Sequence, residues 1–326
     1  ASFWDCGEFI IQADKLEIGH PPGNPIFMLT ARFFSNFAFG DPSKVALMVN
    51  AMSGLLSALT ILLLFWTVTH LVRRLLLHNN AGEPGLTQYL VIMGSGMCGA
   101  LAYAWSDTFW FSAVEGEVYA FSSFCTALVF WLILKWENRA DEPHSDRYLI
   151  LIAYIIGVSV AVHLLNLLCI PAIVLVYCYR RFPSMNVKKS LLALLVSFGI
   201  VVLVLYGLVP GFIKVAGWFE LMCVNTLGMS FNSGTLIYTA ITVAVFFWAL
   251  WELYRQRSGA MMRLSFMCGV LLSGILFIGS SLWPGILLMV VLAYFLYGFF
   301  GKRLPVRWLN VIMWSICVIF VGYSSY

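Results

Sequence analysis

Residues 44–72, KVALMVNAMSGLLSALTILLLFWTVTHLV, form a long apolar run. Because about 20 apolar residues in a helix span a bilayer, this run predicts a transmembrane helix. The whole chain has the same character, since 61% of its 326 residues are hydrophobic, 16% are aromatic and 10% are charged. Soluble domains carry about a quarter charged residues. The sequence therefore predicts an all-α, polytopic transmembrane helical protein rather than a soluble domain.

Further apolar runs bring the prediction to about ten spans. Two long runs are broken, by HLLN at 163–166 and by SSLWPG at 280–285. Residues 26–38, IFMLTARFFSNFA, are too short and polar to cross and predict an interfacial helix. We expect residues 1–43 to form an extracytoplasmic acidic loop with this helix, before a transmembrane domain over 44–326. The other predicted spans are 87–106, 117–136, 147–163, 166–180, 187–209, 234–254, 264–281, 284–300 and 308–326.

The basic residues separate to one side when the spans alternate. All but four of the 19 Lys and Arg residues fall on one side, which the positive-inside rule makes cytoplasmic. The outer side receives residues 1–43, a loop at 107–116 and a long segment at 210–233. Because the net charge of +4 is spread over many short loops, no nucleic acid partner is expected. The four outer cations are Lys15, Arg32, Lys44 and Lys214.

The first outer loop carries the densest group of ionisable residues. Asp5 and Glu8 are three apart and share one helix face, so they could act as a general base with a supporting acid, or hold a divalent metal. They could equally be ordinary charges at a helix N-terminus. GHPPGNP, 19–25, predicts a rigid turn that fixes His20, because proline fixes φ. Asp14 and Glu17, beside Lys15, are expected to be solvated charges.

A second group of candidates lies further along the chain. SDTFWFSAVEGEVYAF, 106–121, holds three carboxylates and no cation. Of these, Glu117 opens the next helix, so it is either a site residue or an N-terminal helix charge. At the outer end of a span, His163 is either functional or bonded to the carbonyls of the helix break. An arginine at headgroup level binds phosphate well, although Arg32 could instead snorkel toward lipid phosphates.

FWDCGEF at 3–9, GHPPG at 19–23, FWFSAVEGEVYAF at 109–121 and HLLNLL at 163–168 resemble a known family. The chain is similar to bacterial membrane glycosyltransferases related to the vertebrate transmembrane protein O-mannosyltransferases, all of the GT-C fold class. The resemblance implies a catalytic carboxylate on the first outer loop and a sugar taken from a polyprenyl-phosphate carrier. Relatives have a helix before the acidic loop and commonly a soluble domain after the last helix, and we expect this chain to lack both.

The resemblance implies transfer of a sugar, mannose, to Ser/Thr hydroxyls of proteins at the outer face of a bacterial inner membrane, with the site facing the periplasm or exterior. We expect Asp5 to be the base, and Glu8 to raise its pKa or orient the acceptor. The partners are then the polyprenyl-phosphate sugar, a protein or peptide acceptor and the bilayer. No cofactor is expected, although a divalent metal stays open. The expected substrate-binding residues are His20, Arg32, Lys15, Glu115, Glu117 and His163.

Two other classes of function fit the composition. A transporter or flippase for a lipid-linked solute would need carboxylates buried across the membrane midplane, whereas the acidic residues are predicted at one surface. A non-catalytic scaffold subunit would tolerate loss of the outer carboxylates. Cys6 and Cys223 both lie in polar segments and could form a disulfide.

Overall fold

A computed structural model describes residues 5–17, 19–20, 23–77, 84–255, 260–275 and 306–323. Over these residues the chain is helical throughout and has no strand, which confirms the all-α prediction. Numbered by their order in the described chain, the helices are α1 Cys6–Lys15, α2 Pro25–Ser35, α3 Pro42–Leu76, α4 Leu86–Ala104, α5 Asp107–Val114, α6 Val118–Arg139, α7 Asp146–Val160, α8 Ile170–Arg181, α9 Val187–Val202, α10 Val209–Leu221, α11 Ser233–Tyr254, α12 Ala260–Leu272 and α13 Val306–Tyr323.

The described helices support part of the predicted span count. Five stretches are long and apolar enough to cross a membrane, or six if α4 and α5, which meet at a 67° bend, form one span. The apolar helices α7, α12 and α13 are shorter. The count of ten stays a prediction, and the predicted span 284–300 lies outside the described residues. The five stretches are Pro42–Leu76, Val118–Arg139, Leu164–Arg181, Val187–Thr226 and Ser233–Tyr254.

The predicted break at HLLN is confirmed. Helix α7 ends at Val160, a tight 3₁₀ stretch follows over Leu164–Cys169, and α8 begins at Ile170. The predicted break at SSLWPG lies outside the described residues. The predicted helix over 26–38 is confirmed as α2 followed by a single 3₁₀ turn, Asn36–Ala38.

Two predicted outer segments are helical instead of loops. Residues 107–114 form α5, whose Phe109 ring packs 4.5 Å from the ring of Tyr103. Helix also continues from Val187 to Thr226, through the segment predicted as a loop. A wider π-helical stretch, Leu203–Leu208, precedes Pro210 and places it in the first turn of α10, where its missing N–H is tolerated.

The described chain divides into two compact units. The first contains the described residues up to Tyr148 together with Ile155–Cys169, and α3 is its central helix, packed against α4, α5 and α6. The second contains Leu149–Tyr154 and the described residues from Ile170 onward. Its core lies among α11, α12 and α13, where Leu253 and Met313 are almost fully buried.

Helices α1 and α2 pack on each other and on α3. Their shared core includes Phe9 of α1, Phe27 and Ala31 of α2, and Val49 and Met52 of α3, all of them buried. Burial of an aromatic side chain contributes a few kcal/mol, so this small core fixes the two short helices on the first unit. The domain boundary predicted at residue 43 stays a prediction.

Candidate active site

The acidic start of the chain forms an acid–histidine cluster of Asp5, Glu8 and His20. Asp5 directly precedes α1, Glu8 lies in its first turn, and His20 lies in the turn that leads to α2. The His20 Nδ1 is 3.1 Å from Oε1 of Glu8, and its Nε2 is 3.7 Å from Oδ2 of Asp5. The structure therefore brings the two carboxylates and the histidine together, with the imidazole between the two acids.

The packing beneath the cluster holds His20 in place. Its ring stacks on the Phe9 ring at a centroid distance of 5.7 Å, and Phe9 in turn packs 5.4 Å from Phe27. Helix α1 ends at Leu16, whose left-handed φ of 54° turns the chain back toward α2. The backbone N–H of His20 also donates to Oε1 of Glu8, at 3.3 Å. The geometry of the turn and the apolar core beneath it thus both hold the imidazole in position.

The electrostatics of the cluster differ from expectation at Glu8. Poor solvation near a membrane surface predicts a raised carboxylate pKa, but hydrogen bonds from His20 and then Gln12 lower the pKa of Glu8. The same bond to Glu8 raises the pKa of His20. The pair therefore favours the ionised carboxylate of Glu8 and the protonated imidazole of His20.

The three side chains could also hold a metal ion. One ligand atom from each of Asp5, Glu8 and His20 lies within 4.8 Å of the other two. Carboxylate oxygen and imidazole nitrogen are ligands that divalent transition metals accept. The donor set fits such an ion, although the imidazole already has a hydrogen-bond partner in Glu8.

A large cavity adjoins the cluster, and Asp5 is part of its wall. Its volume is about 1320 Å³, and helices α3, α5 and α6 provide most of its lining. The described lining includes no Lys, Arg or His. Four carboxylates line it instead, from Asp5, Asp107, Glu115 and Glu117. Such a wall attracts cations and hydrogen-bond donors and repels anions.

The segment between α5 and α6 brings carboxylates close to α1. A Cβ atom on Gly116 would lie 2.9 Å from Cγ1 of Val49 and 3.1 Å from Cγ1 of Ile10, so glycine permits this close approach. Next to it, Glu117 is 7% exposed, and no described residue donates a hydrogen bond to its carboxylate. Burial, followed by the charges of Glu115 and Asp5, raises the pKa of Glu117. Glu117 is thus more than an exposed helix-start charge.

The structure gives Arg32 a partner within the protein. Its Nη1 donates to Oδ1 of Asp14 at 3.0 Å and also to the Asp14 carbonyl oxygen, which ties α2 to α1. The Asp14 side chain is 39% exposed, and it also has Arg32 as a partner because α2 folds back along α1. Lys15 is exposed at the end of α1.

His163 lies in the break after α7. Its Nδ1 accepts a hydrogen bond from the backbone N–H of Leu165 at 3.3 Å, so the ring bonds an N–H of the break and not the carbonyls that were expected. Its ring also lies 5.6 Å from the ring of Tyr119, a residue of the cavity wall. The start of α2 contacts this break, since the backbone N–H of Ile26 donates to the carbonyl oxygen of Ala161 at 3.3 Å.

Sequence reasoning missed the hydroxyl groups of the cavity. Ser122 and Thr126 both donate to Oδ1 of the buried Asn166. A signal was present in the spacing, because polar residues at i, i+3, i+4 and i+7 share one face of α6. These wall residues of α6 are Tyr119, Ser122, Ser123 and Thr126.

Both cysteines that could have formed a disulfide, Cys6 and Cys223, are buried free thiols.

Comparison with known proteins gives matches over the part of the chain that contains the cluster and the cavity. The family model described as the protein O-mannosyl-transferase TMEM260 N-terminal domain matches residues 5–186, more than half of the chain. A protein O-mannosyl-transferase tmem260 from Dictyostelium discoideum is 25% identical over 198 residues, covering 56% of this chain and 22% of that protein.

The mouse protein O-mannosyl-transferase TMEM260 is 27% identical over 189 residues, which cover 58% of this chain and 24% of the mouse protein. The matched region thus spans less than a quarter of the length of either relative. No solved structure matches the chain.

Proposed function

This chain belongs to the family of the protein O-mannosyl-transferase TMEM260 N-terminal domain, and from that membership we propose that it is the membrane part of a glycosyltransferase. The proposed reaction transfers mannose from a polyprenyl-phosphate carrier to Ser or Thr hydroxyls of a protein. The names of the Dictyostelium and mouse relatives support the reaction class. The observation that carries the proposal is that Asp5 belongs both to the acid–histidine cluster and to the wall of the 1320 Å³ cavity.

In the proposed mechanism, Asp5 is the general base. Its carboxylate takes the proton of the acceptor hydroxyl while that oxygen forms a bond to the anomeric carbon of the sugar. The bond from the anomeric carbon to the carrier phosphate breaks, and the phosphate leaves with the electron pair. Phosphate is a good leaving group, so a single base suffices, and direct displacement inverts the anomeric carbon. General base catalysis contributes about 10²–10⁴-fold in rate.

Glu8 and His20 are proposed to position the base. The imidazolium that Glu8 favours lies 3.7 Å from Asp5, where its charge holds the carboxylate in place. It can also approach the carrier phosphate when the donor arrives.

The donor phosphate needs a cation near the membrane surface. Lys15 is exposed and can meet the phosphate directly. Arg32 can do so only by exchanging its Asp14 partner for the phosphate, which offers the same planar, bidentate contact. Glu115, Glu117 and His163 are proposed to contact substrate from the cavity wall and its border.

The chain is an integral membrane protein, and the compartment that we propose for the site is extracytoplasmic, the periplasm in a bacterium. The separation of basic residues supports this orientation. The GT-C fold class is part of the same proposal and is supported by the family and by the helical architecture.

One observation favours the transporter alternative. The cavity wall follows α3 from Thr60 to Thr67, so the cavity continues past the middle of the longest helix described. A path for a lipid-linked solute would extend along a helix in this way.

Reconstitution of the complete protein in liposomes distinguishes these functions. The probes are a radiolabelled polyprenyl-phosphate mannose and a Ser/Thr peptide added outside. The proposal predicts label on the peptide that alkaline β-elimination releases. Movement of the lipid-linked sugar between leaflets without transfer would favour the transporter, and neither result would favour a scaffold.

A further inference from the structure

The buried Glu117 carboxylate lacks a partner in the described structure. Glu117 is 7% exposed and lines the cavity, and among the described residues no hydrogen bond is one of the influences on its carboxylate. A buried carboxylate costs free energy unless a cation or hydrogen-bond donors satisfy it. The charges that act on Glu117, those of Glu115 and Asp5, are also negative, so a cationic or hydrogen-donating group of a ligand in the cavity would satisfy its carboxylate.

The remaining cavity wall narrows the chemistry of that ligand. Asp5, Asp107, Glu115 and Glu117 provide negative charge, and the described lining includes no positive side chain. An anionic group, such as the donor phosphate, would be repelled there, whereas a cationic group would be attracted. Ring faces of Phe109, Phe111 and Phe130 and several hydroxyls complete the wall, which suits an extended segment with both polar and apolar parts.

The size of the cavity also fits a polypeptide segment. Typical small-molecule sites have about 300–1000 Å³. The volume of about 1320 Å³ exceeds that range and leaves room for several residues on either side of an acceptor hydroxyl. Asp5, the proposed base, lies in the same wall, so a hydroxyl can reach it while its neighbours extend toward Glu117.

We propose that this cavity is the acceptor subsite and that it selects segments in which a Lys or Arg neighbours the modified Ser or Thr, with Glu117 as the partner of that basic side chain. The inference rests on the proposed function, because it assigns an acceptor to the same site. It goes further by naming the class of acceptor peptide and the residue, Glu117, that would bind its basic side chain.

Peptide binding tests the selection without requiring catalysis. Two fluorescent Thr peptides would differ only at the neighbouring residue, Lys in one and Gln in the other. Anisotropy would measure their affinities for the complete protein in detergent, without donor. A charge-assisted contact predicts about tenfold tighter binding of the Lys peptide. Equal affinities for the two peptides would overturn the inference.

The variant Glu117→Gln tests whether Glu117 is the residue that binds the basic side chain of the peptide. We expect this variant to weaken the Lys peptide about tenfold and to leave the Gln peptide unchanged. Asp41→Asn is the matched control, because Asp41 is an acidic residue at the start of α3 that does not line the cavity. If Glu117→Gln weakens both peptides equally, or changes the KM for donor alike with both, Glu117 does not read acceptor charge and the assignment is wrong.

Two further readouts keep the outcomes distinct. If Glu117→Gln fails to fold, Asp107→Asn, at an exposed position of the same wall, should reduce the Lys preference of a folded protein. An unchanged preference in that variant would count against the acidic wall. If neither peptide accepts sugar but the Lys peptide binds more tightly, the proposed transferase function fails, while the acidic subsite that binds basic side chains remains.

Discussion

The imidazole of His20 lies 3.1 Å from the carboxylate of Glu8, a residue twelve positions earlier on α1. The backbone N–H of His20 points to the same carboxylate oxygen, so Glu8 fixes both the charge of His20 and the path of its turn. Asp5 shares the imidazole from the other side, which links this contact to the proposed base.

Glu8→Gln should lower the pKa of His20 toward its ordinary value, because the hydrogen bond from Glu8 is the main cause of its raised pKa. NMR of protein labelled at histidine Cε1, assigned with His20→Gln, measures the change. Glu17→Gln is the control, since Glu17 is exposed and is not among the groups that shift His20. An unchanged His20 pKa in Glu8→Gln would show that the contact does not form in solution.

The same contact predicts how stability depends on pH. Stability that comes from the raised pKa of His20 is fully present below its ordinary pKa of 6.5 and is lost as pH rises through the raised value. Stability from the lowered pKa of Glu8 is present above its ordinary pKa of 4.5 and is lost as pH falls through the lowered value. The difference in melting temperature between wild type and Glu8→Gln should therefore be largest from pH 4.5 to 6.5.

Phe27→Ala should destabilise the first unit by about 3–5 kcal/mol, the usual cost of removing a buried phenylalanine. Phe27 is fully buried and packs against Phe9, which supports the His20 ring. Unfolding in detergent, followed by tryptophan fluorescence, measures the loss. Phe33→Ala is the matched control, because Phe33 is 59% exposed. Equal losses in the two variants would mean that α2 does not bury the face described.

Features that depend on local sequence were predictable. Apolar run length predicted most helices from α3 onward, although not α5 and α10, because a bilayer span needs a continuous apolar stretch. The polar residues near His163 predicted the helix break there, and the shortness and polarity of residues 26–38 predicted a helix that does not cross the membrane. The proximity of Asp5 and Glu8 was expected from their three-residue spacing, although Asp5 lies just before α1.

Features that depend on long-range packing were not predictable. Arg32 contacts Asp14 only because α2 folds back along α1, and no local sequence pattern predicts that contact. Glu117 is buried because Gly116 lets its segment approach α1 and α3, a fit that only the assembled helices show. The helix continues past the predicted end at residue 209 because a wider turn, Leu203–Leu208, precedes Pro210.

Arg32→Ala should raise the KM for the donor more than it lowers kcat, because a phosphate contact exists in both the ground and transition states. Arg32→Lys should rescue only partly, since Lys lacks the planar fork. Asp14→Asn is the control, because it weakens the ion pair but leaves Arg32 for the phosphate. If both Arg32→Ala and Asp14→Asn raise the KM alike, Arg32 only clamps α1 to α2, and Lys15 takes the phosphate role.

The orientation of the cluster can be tested by labelling. In a background without native cysteines, Asp41→Cys, just before α3, should react with an impermeant thiol reagent from outside. Glu142→Cys, just after α6, should react only from the cytoplasmic side, because the basic residues place that end inside. Labelling of both positions from one side would contradict the predicted orientation.

The central claim is that Asp5 is the general base. The kcat of Asp5→Asn in the complete protein tests this claim most directly. The assay uses a polyprenyl-phosphate mannose donor and a Ser/Thr peptide in detergent. The account predicts a fall of about 10²–10⁴-fold with donor binding preserved, and a near wild-type rate for the control Glu17→Gln. Full activity in Asp5→Asn, together with loss of activity in Glu8→Gln or Glu117→Gln, would contradict the assignment of the base. Full activity in all three variants would contradict the transferase proposal itself.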